Sequence, residues 1–264
     1  MIDHDYYLLH ILLSKSTFYI LIQDMHQFGI YQDVKGEKTI NINRFVNKIL
    51  PIIIDYRRRQ NKKFKKTILK KYSDFLKYTD DEAMDLLILL ADDNYYSDDS
   101  LSYHNEKISI RILKENMELM DSIFEDLVDF GINKSKFVRS LLNQYSDMKL
   151  DIREFICFNK EYHLFENAIE KKSMIKYSVN NSIEEAYPIM IHTCPYNSEI
   201  YLFTLKKLIE NKLELKAIRL CDMNNIKMID NNFVIEDEEK TLHLINDYVF
   251  DLKYYDNEVI VIGD

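Results

Sequence analysis

Nine lysines and arginines stand between Arg57 and Lys71 with no carboxylate among them. The chemistry such a run can do is phosphate binding. Each cation that meets a phosphate releases a condensed counterion, and this gain needs no special geometry. Arg57, Arg58, Arg59, Lys62, Lys63, Lys65 and Lys66 are the candidates. The next stretch is opposite in character, with ten acids and the single Lys77 between Asp74 and Glu106. The formal net charge of −9 is therefore a sum over segments of opposite sign.

Other chemistries leave no comparable trace. The seven histidines form no HExxH pattern and have no carboxylate at metal-ligand spacing. Only four glycines are present, and no phosphate loop, GxGxxG or GxSxG elbow occurs. Acid pairs such as Asp92-Asp93 and Asp98-Asp99 read as solvated loop residues. Cys157, Cys194 and Cys221 lie too far apart for a CxxC metal or redox centre, so they read as reduced core thiols. The expectation is a protein that is not an enzyme, with no catalytic residue, no metal and no cofactor.

The elements that must position the cations emerge from comparing the chain with itself. Phe64 to Phe75 aligns without gaps with Phe137 to Met148, sharing Phe, Leu, Tyr, Ser and Asp. Both segments place apolar residues on one helical face. Upstream of the second copy, Lys107 to Ile112 alternates strictly as a strand does, and Met117 to Phe130 follows as an amphipathic helix. Gly131 ends that helix and Asn133 caps the next. Upstream of the first copy, Lys38 to Asn43 also alternates, and a helix from about Arg44 to Arg59 carries Pro51.

Strand, helix, turn, helix in this order resembles the ribbon-helix-helix family of DNA-binding proteins, on Lys107 to Ile112 and Gly131 to Arg139. The resemblance implies that two units pair and that their strands form an antiparallel ribbon for the major groove. Ile108, Ile110 and Ile112 would then face the core, and Lys107, Ser109 and Arg111 would face outward. In the first unit Thr39, Asn41 and Asn43 would be the outward residues. Lys134, Ser135 and Lys136, at the start of the last helix, would meet a phosphate. The two units could pair within one chain or between chains.

From Asp151 onward a short helix, Glu161 to Lys171, precedes five β-like runs: Ser173 to Val179, Ala186 to His192, Glu199 to Leu205, Leu213 to Asp222 and Ile226 to Ile229. Helix plus strands in so short a span predicts a small, strongly bent Sm-like or SH3-like barrel. This stretch resembles the WYL domain of bacterial regulators. The resemblance rests on Ala168-Ile169, Ile175-Lys176-Tyr177, Tyr187-Pro188, Ile200-Tyr201-Leu202 and Arg219-Leu220. Ile200 replaces the family's Trp, Lys176 stands for an Arg, and Asp222 falls near a basic position. The resemblance implies a ligand face of Lys176, Tyr177, Tyr201 and Arg219, cationic and able to stack on bases.

The expected fold class is α+β: tandem ribbon-helix-helix-like units, then a WYL-like barrel. The expected segments are packing helices over 1–36, units over 37–76 and 107–150, an acidic connector over 77–106, the barrel over 151–230 and an extension over 231–264. The extension ends in Glu258 to Ile262, a strand that would complete a sheet or pair across a dimer. The longest apolar run, near Ile49 to Ile54, is too short to span a bilayer, so no membrane contact and a cytoplasmic location are expected. A homodimer is expected because a ribbon edge and a terminal strand both seek partners. Ribbon-helix-helix units joined to a WYL domain resemble the accessory proteins of type VI CRISPR RNA-targeting effectors. That implies a single-stranded-RNA-binding accessory with a CRISPR effector as partner. The alternative is a transcriptional regulator whose units read duplex DNA and whose WYL-like domain senses a ligand.

Overall fold

The computed structural model describes residues 6–34, 36–72, 105–124, 133–207, 213–232, 243 and 259–262. The chain divides into two units, 1–148 and 149–264. Residues 77–104 of the expected acidic connector, residues 125–132 and most of the C-terminal extension lie outside the described residues, and residues 105 and 106 belong to a strand.

The first unit runs β1 (Tyr6–Ser14), α1 (Lys15–Gln27), β2 (Tyr31–Val34), β3 (Glu37–Ile40), α2 (Ile42–Tyr72), β4 (Asn105–Leu113), α3 (Lys114–Phe124) and α4 (Lys134–Ser146). β1 and β4 form an antiparallel two-stranded ribbon, with Leu9 opposite Ile110 and Ile11 opposite Ile108. Residues 1–36 are therefore not packing helices alone. Tyr7, Leu8, Ile11 and Leu12 satisfy a helical spacing, but they lie in a run so apolar that it fits either period, and pairing with β4 decides for the strand. Along β1 the burial alternates, with Ile11 and Leu13 inside and Leu8, His10 and Leu12 outside.

The first expected unit is corrected as well. Lys38 to Ile40 belongs to a separate hairpin in which Tyr31 pairs with Ile40. The expected helix to Arg59 and its successor from Phe64 are one continuous helix, α2, running through Pro51. The true first copy is β1, α1 and α2, matching β4, α3 and α4. Both strands run straight into a helix at a lysine, Lys15 and Lys114. Counting back equally from those lysines, His10 corresponds to Ser109, and these two face each other in the register. The pair thus lies on a local two-fold axis, and Nδ1 of His10 stands 2.9 Å from Oγ of Ser109.

The second helices share a signature that the self-comparison above does not use. Asn41 caps α2 through the Arg44 N–H at 2.9 Å, and Asn133 caps α4 through the Lys136 N–H at 2.9 Å. Each cap is followed by Phe-Val four residues on: Phe45-Val46 and Phe137-Val138, all buried. Ile49, Leu50, Leu141 and Leu142 complete the core beneath the ribbon, and Phe45 meets Tyr145 edge-on at 5.9 Å. The hairpin β2–β3 is an insertion in the first copy, placed between the end of α1 and the Asn41 cap. Gly29 ends α1 with φ +65, and the Ile30 N–H returns to the Met25 carbonyl.

Pro51 has a specific consequence. Lacking an N–H, it leaves the Asn47 carbonyl without its helical donor. Nδ2 of the buried Asn116 on α3 supplies one at 3.0 Å, and it also meets Oδ1 of Asn47 at 3.0 Å. The Asn47 amide in turn clasps the outer edge of β4, accepting from the Leu113 N–H at 2.8 Å and donating to the Arg111 carbonyl at 2.7 Å. Asn43 accepts from the Arg111 N–H at 2.8 Å.

The second unit runs α5 (Leu150–Cys157), α6 (Asn159–Glu170), β5 (Ser173–Val179), β6 (Ser182–Thr193), β7 (Ile200–Lys207), β8 (Leu213–Arg219), a single 3-10 turn (Leu220–Asp222), β9 (Asn224–Asn232) and β10 (Val259–Ile262). The sheet order is β10-β8-β7-β6-β5-β9, antiparallel throughout. Asn180 and Asn181, both at positive φ, make the two-residue turn between β5 and β6. Pro188 sits mid-strand in β6 beside a register shift, the place where a sheet tolerates proline. The first half of β6 pairs with β5 and the second with β7.

No closed barrel forms among the described strands. The outer edge of β8, which would have to meet β9, is occupied by β10. The terminal strand therefore completes a sheet, and the ribbon forms within one chain, so both grounds for expecting a homodimer are answered inside the chain. Among the described residues no helix is long and apolar enough to cross a membrane.

Asn116→Ala is expected to cost about 1–3 kcal/mol, because it strands a buried carbonyl. In a Pro51→Ala background that carbonyl regains an α-helical N–H, so the cost should fall by about 1 kcal/mol. Denaturant unfolding of the four proteins of this cycle measures the coupling. Strict additivity would show that Asn116 does not serve the proline-freed carbonyl.

Candidate nucleic-acid interface

The outward face of the ribbon carries Tyr6, Leu8, His10 and Leu12 from β1 and Lys107, Ser109, Arg111 and Leu113 from β4, all exposed. Lys107, Ser109 and Arg111 stand outward as the alternation predicts, and Ile110 and Ile112 are buried beneath. In the register, Leu8 faces Arg111 and Leu12 faces Lys107, symmetrically about the His10–Ser109 pair. The guanidinium of Arg111 lies over the Tyr6 ring at 5.0 Å. Sequence reasoning missed the β1 half of this face. The signal that could have found it is the Asn41/Asn133 and Phe-Val match, which makes residues 6–14 the missing strand.

The other ribbon-associated candidates have different occupations. Thr39 is exposed on the separate hairpin. Asn41 is a helix cap that also donates to Oε1 of Gln32 at 2.7 Å, and Asn43 holds the edge of β4. Their amides are spent on the fold rather than on base edges. Lys134 pairs with Asp121 at 2.7 Å and sits 5.8 Å from the Tyr7 ring centre. Ser135 and Lys136 are half-buried in the first turn of α4.

The cationic run divides at Arg57. That residue is 4% exposed, with Nε donating to Gln144 at 2.8 Å and Nη1 to Ser140 at 3.0 Å, so it ties α2 to α4. Beyond it, α2 carries Arg58, Arg59, Lys62, Lys63 and Lys66 exposed and Lys65 half-buried. Arg59 is paired with Asp55 at 2.6 Å across an exposed turn. At 100° per residue these six cations fall within an arc of about 160°, with Phe64 on the opposite side. Lys62 lies about 22 Å along the helix from Asn47 at the ribbon edge. The ribbon face and the helical arm are therefore two separate patches.

In the second unit the four WYL-like residues do not make one open face. Tyr201 and Arg219 are direct cross-strand partners, but both are engaged internally. Nη1 of Arg219 pairs with Glu199 at 3.0 Å, and the Tyr201 hydroxyl donates to Glu199 at 2.8 Å. Nε of Arg219 stands 3.3 Å from the fully buried Glu154, close enough for ion pairing but off the line of a hydrogen bond. Glu154 on α5 also accepts from the Ile200 N–H at 2.9 Å and the Cys221 N–H at 3.3 Å. Burial pushes its carboxyl above the usual range, against the pull of Arg219 and the two amides. Tyr177 is buried and donates to Glu184 at 3.0 Å. Burial works against the Glu184 charge, but the bonds from Lys216 and Tyr177 outweigh it and hold the carboxyl low. Lys176 points away, exposed and paired with Glu185 at 2.9 Å. Sequence reasoning missed Glu154, Glu184 and Glu199, whose acids convert the expected cationic face into internal ion pairs.

Among the described residues no group of three or more His, Cys, Asp and Glu could hold a metal ion. Cys157, Cys194 and Cys221 are all buried and unlinked.

No family model matches the chain, and no curated protein matches it. Among solved structures, one described as the crystal structure of a CRISPR Cas-related protein is similar. It has a TM-score of 0.68 and 14% identity, over 95% of this chain and 72% of that one. At that identity the likeness shows a shared fold.

Two substitutions separate fold from interface. Arg57→Ala should lower the unfolding midpoint, at a cost of about 1–3 kcal/mol for stranding Ser140 and Gln144. An unchanged midpoint would return Arg57 to the surface cations. Glu154→Ala should cost the second unit about 1–3 kcal/mol, since it strands the buried Ile200 and Cys221 N–H groups and leaves Arg219 with Glu199 alone. A melting curve indistinguishable from wild type would contradict that role.

Proposed function

We propose that the chain is a non-enzymatic nucleic-acid-binding accessory of a CRISPR RNA-targeting effector, with single-stranded RNA as its ligand. The observation that carries the reading is the one-sided cationic arm of α2, Arg58 to Lys66, which follows the buried Arg57 along that helix. Six cations fall within one arc of the helix, where Arg59 pairs with Asp55, and a cationic arc of this kind suits phosphate. The fold shared with a CRISPR Cas-related protein supports the CRISPR setting. The paired strand–helix–helix copies support the ribbon-helix-helix reading, and the strand order with its leading helices supports the WYL-like one.

A second reading is a regulator of duplex DNA. It is favoured by the ribbon itself, since a two-stranded antiparallel ribbon is the shape that a major groove admits. In the accessory reading the second unit is a rigid module, because its Tyr201–Arg219 pair is committed to Glu199 and Glu154.

Fluorescence anisotropy with single-stranded RNA, single-stranded DNA and duplex DNA, each at several salt concentrations, tests the assignment. The accessory reading expects tightest binding to single-stranded RNA. Replacing Lys62, Lys63 and Lys66 together by Ala should reduce affinity at least tenfold. It should also flatten the salt dependence by about 0.7 in slope for each lost phosphate contact. Preference for duplex would favour the regulator, and no salt-dependent binding to any of the three would overturn both.

A further inference from the structure

The ribbon face is lopsided in a way that the arm is not. Its β1 side offers Tyr6, Leu8, His10 and Leu12, and its β4 side offers Leu113, Arg111, Ser109 and Lys107. Leu8 is 54% exposed and Leu12 36%. Two leucines held open to water on a rigid strand are costly to leave bare. Across the ribbon each leucine has a cation as its direct partner. The β1 edge of the face is thus mainly apolar and aromatic, and the β4 edge carries both of its cations, with Leu113 opposite Tyr6 at one end.

We infer that this face binds one unpaired nucleic-acid strand lengthwise, bases against the β1 stripe and phosphates along Lys107 and Arg111. The inference rests on the nucleic-acid reading above and names the state of the strand that the ribbon accepts. Three observations carry it. First, successive outward side chains on a strand are about 7 Å apart. Nucleotides in a stacked duplex strand rise by only about 3.4 Å each. The stripe therefore fits bases that are drawn apart, with Leu8, His10 and Leu12 between them, rather than bases in a stack. Second, reading a major groove needs donors and acceptors that reach base edges. Here β1 contributes His10 at the centre, already turned to Ser109 at 2.9 Å, and the Tyr6 hydroxyl at one end, while Leu8 and Leu12 offer neither. Third, the flat faces of unpaired bases take apolar and aromatic neighbours without regard to sequence. Tyr6, braced by Arg111 at 5.0 Å, is placed for that. Single-stranded RNA and single-stranded DNA share this chemistry, and the contact is independent of the arm some 22 Å away along α2.

The test compares a pyrimidine oligoribonucleotide, the matching oligodeoxyribonucleotide, and each annealed to its complement. The proteins are wild type, Leu8→Ala with Leu12→Ala, Lys107→Ala with Arg111→Ala, and the triple Lys62, Lys63, Lys66→Ala variant. Because Leu8 and Leu12 are exposed, melting curves should confirm an intact fold. The leucine pair is expected to weaken single-strand binding about tenfold and to leave duplex binding within about twofold. The Lys107/Arg111 pair should weaken both and reduce the salt slope. A thiouridine-bearing strand should photocrosslink to Tyr6 or His10. If the leucine pair leaves single-strand affinity unchanged while the arm variant loses it, the ribbon inference falls and the accessory reading survives. The stripe would then be a face for a protein partner. If the leucine pair weakens duplex binding as much as single-strand binding, the ribbon reads duplexes and the inference falls as well. If wild type binds none of the oligonucleotides, both readings fall together.

Discussion

The first unit depends on the pairing of β1 with β4. A two-stranded ribbon is marginal by itself in water, and this one has a single buried face. Ile11, Leu13, Ile110 and Ile112 therefore need a floor, which the second helices of both copies supply through Phe45, Val46, Phe137 and Val138. Neither copy could bury its strand alone. Joining the copies in one chain makes the pairing intramolecular, so the ribbon exists without a second molecule. The same covalent link frees the two halves to diverge, as Leu8 opposite Arg111 shows.

Divergence is also visible in how the halves are fastened. Proline in the middle of α2 would ordinarily break it, yet here the orphaned Asn47 carbonyl becomes an attachment point for Asn116. The Asn47 side chain then covers the outer edge of β4, which would otherwise present unpaired backbone groups. At the equivalent position α4 carries Arg139, a buried cation whose charge burial disfavours. One defect in a helix thus secures a neighbouring helix through the Asn47 backbone, while the side chain of the same residue secures a strand.

How much of this was legible in the sequence varied with how local the cause was. The strand from Ser173 to Val179 and the Asn180-Asn181 turn follow from alternation and turn chemistry alone, and β4 was legible from Lys107 onward for the same reason. The strand at residues 6–14 was not legible, because its apolar positions satisfy both periods and only a partner about a hundred residues away selects one. Pro51 suggested a helix boundary because the rule for proline is local, whereas its rescue by Asn116 is tertiary. Cations failed as site markers wherever an acid from another strand or helix met them. Arg219 shows this with Glu154 and Glu199, and Lys176 shows it with Glu185. Those acids are unremarkable in sequence and decisive in space.

The charge of the whole chain and the charge felt by a ligand are different quantities. At physiological ionic strength the field of an exposed charge decays over about 8 Å. From Asn47 at the ribbon edge, the arm of α2 begins about two such lengths along the helix at Arg58 and reaches nearly three at Lys62. Each patch therefore acts on its own surroundings, and a total of −9 says little about either. Within the second unit the balance is reversed, since its inward cations are neutralised where they stand. In the proposed reading a nucleic-acid strand is drawn by the arm through charge. It is retained on the ribbon only if its bases leave their stack, which divides attraction from selection between two surfaces of the first unit.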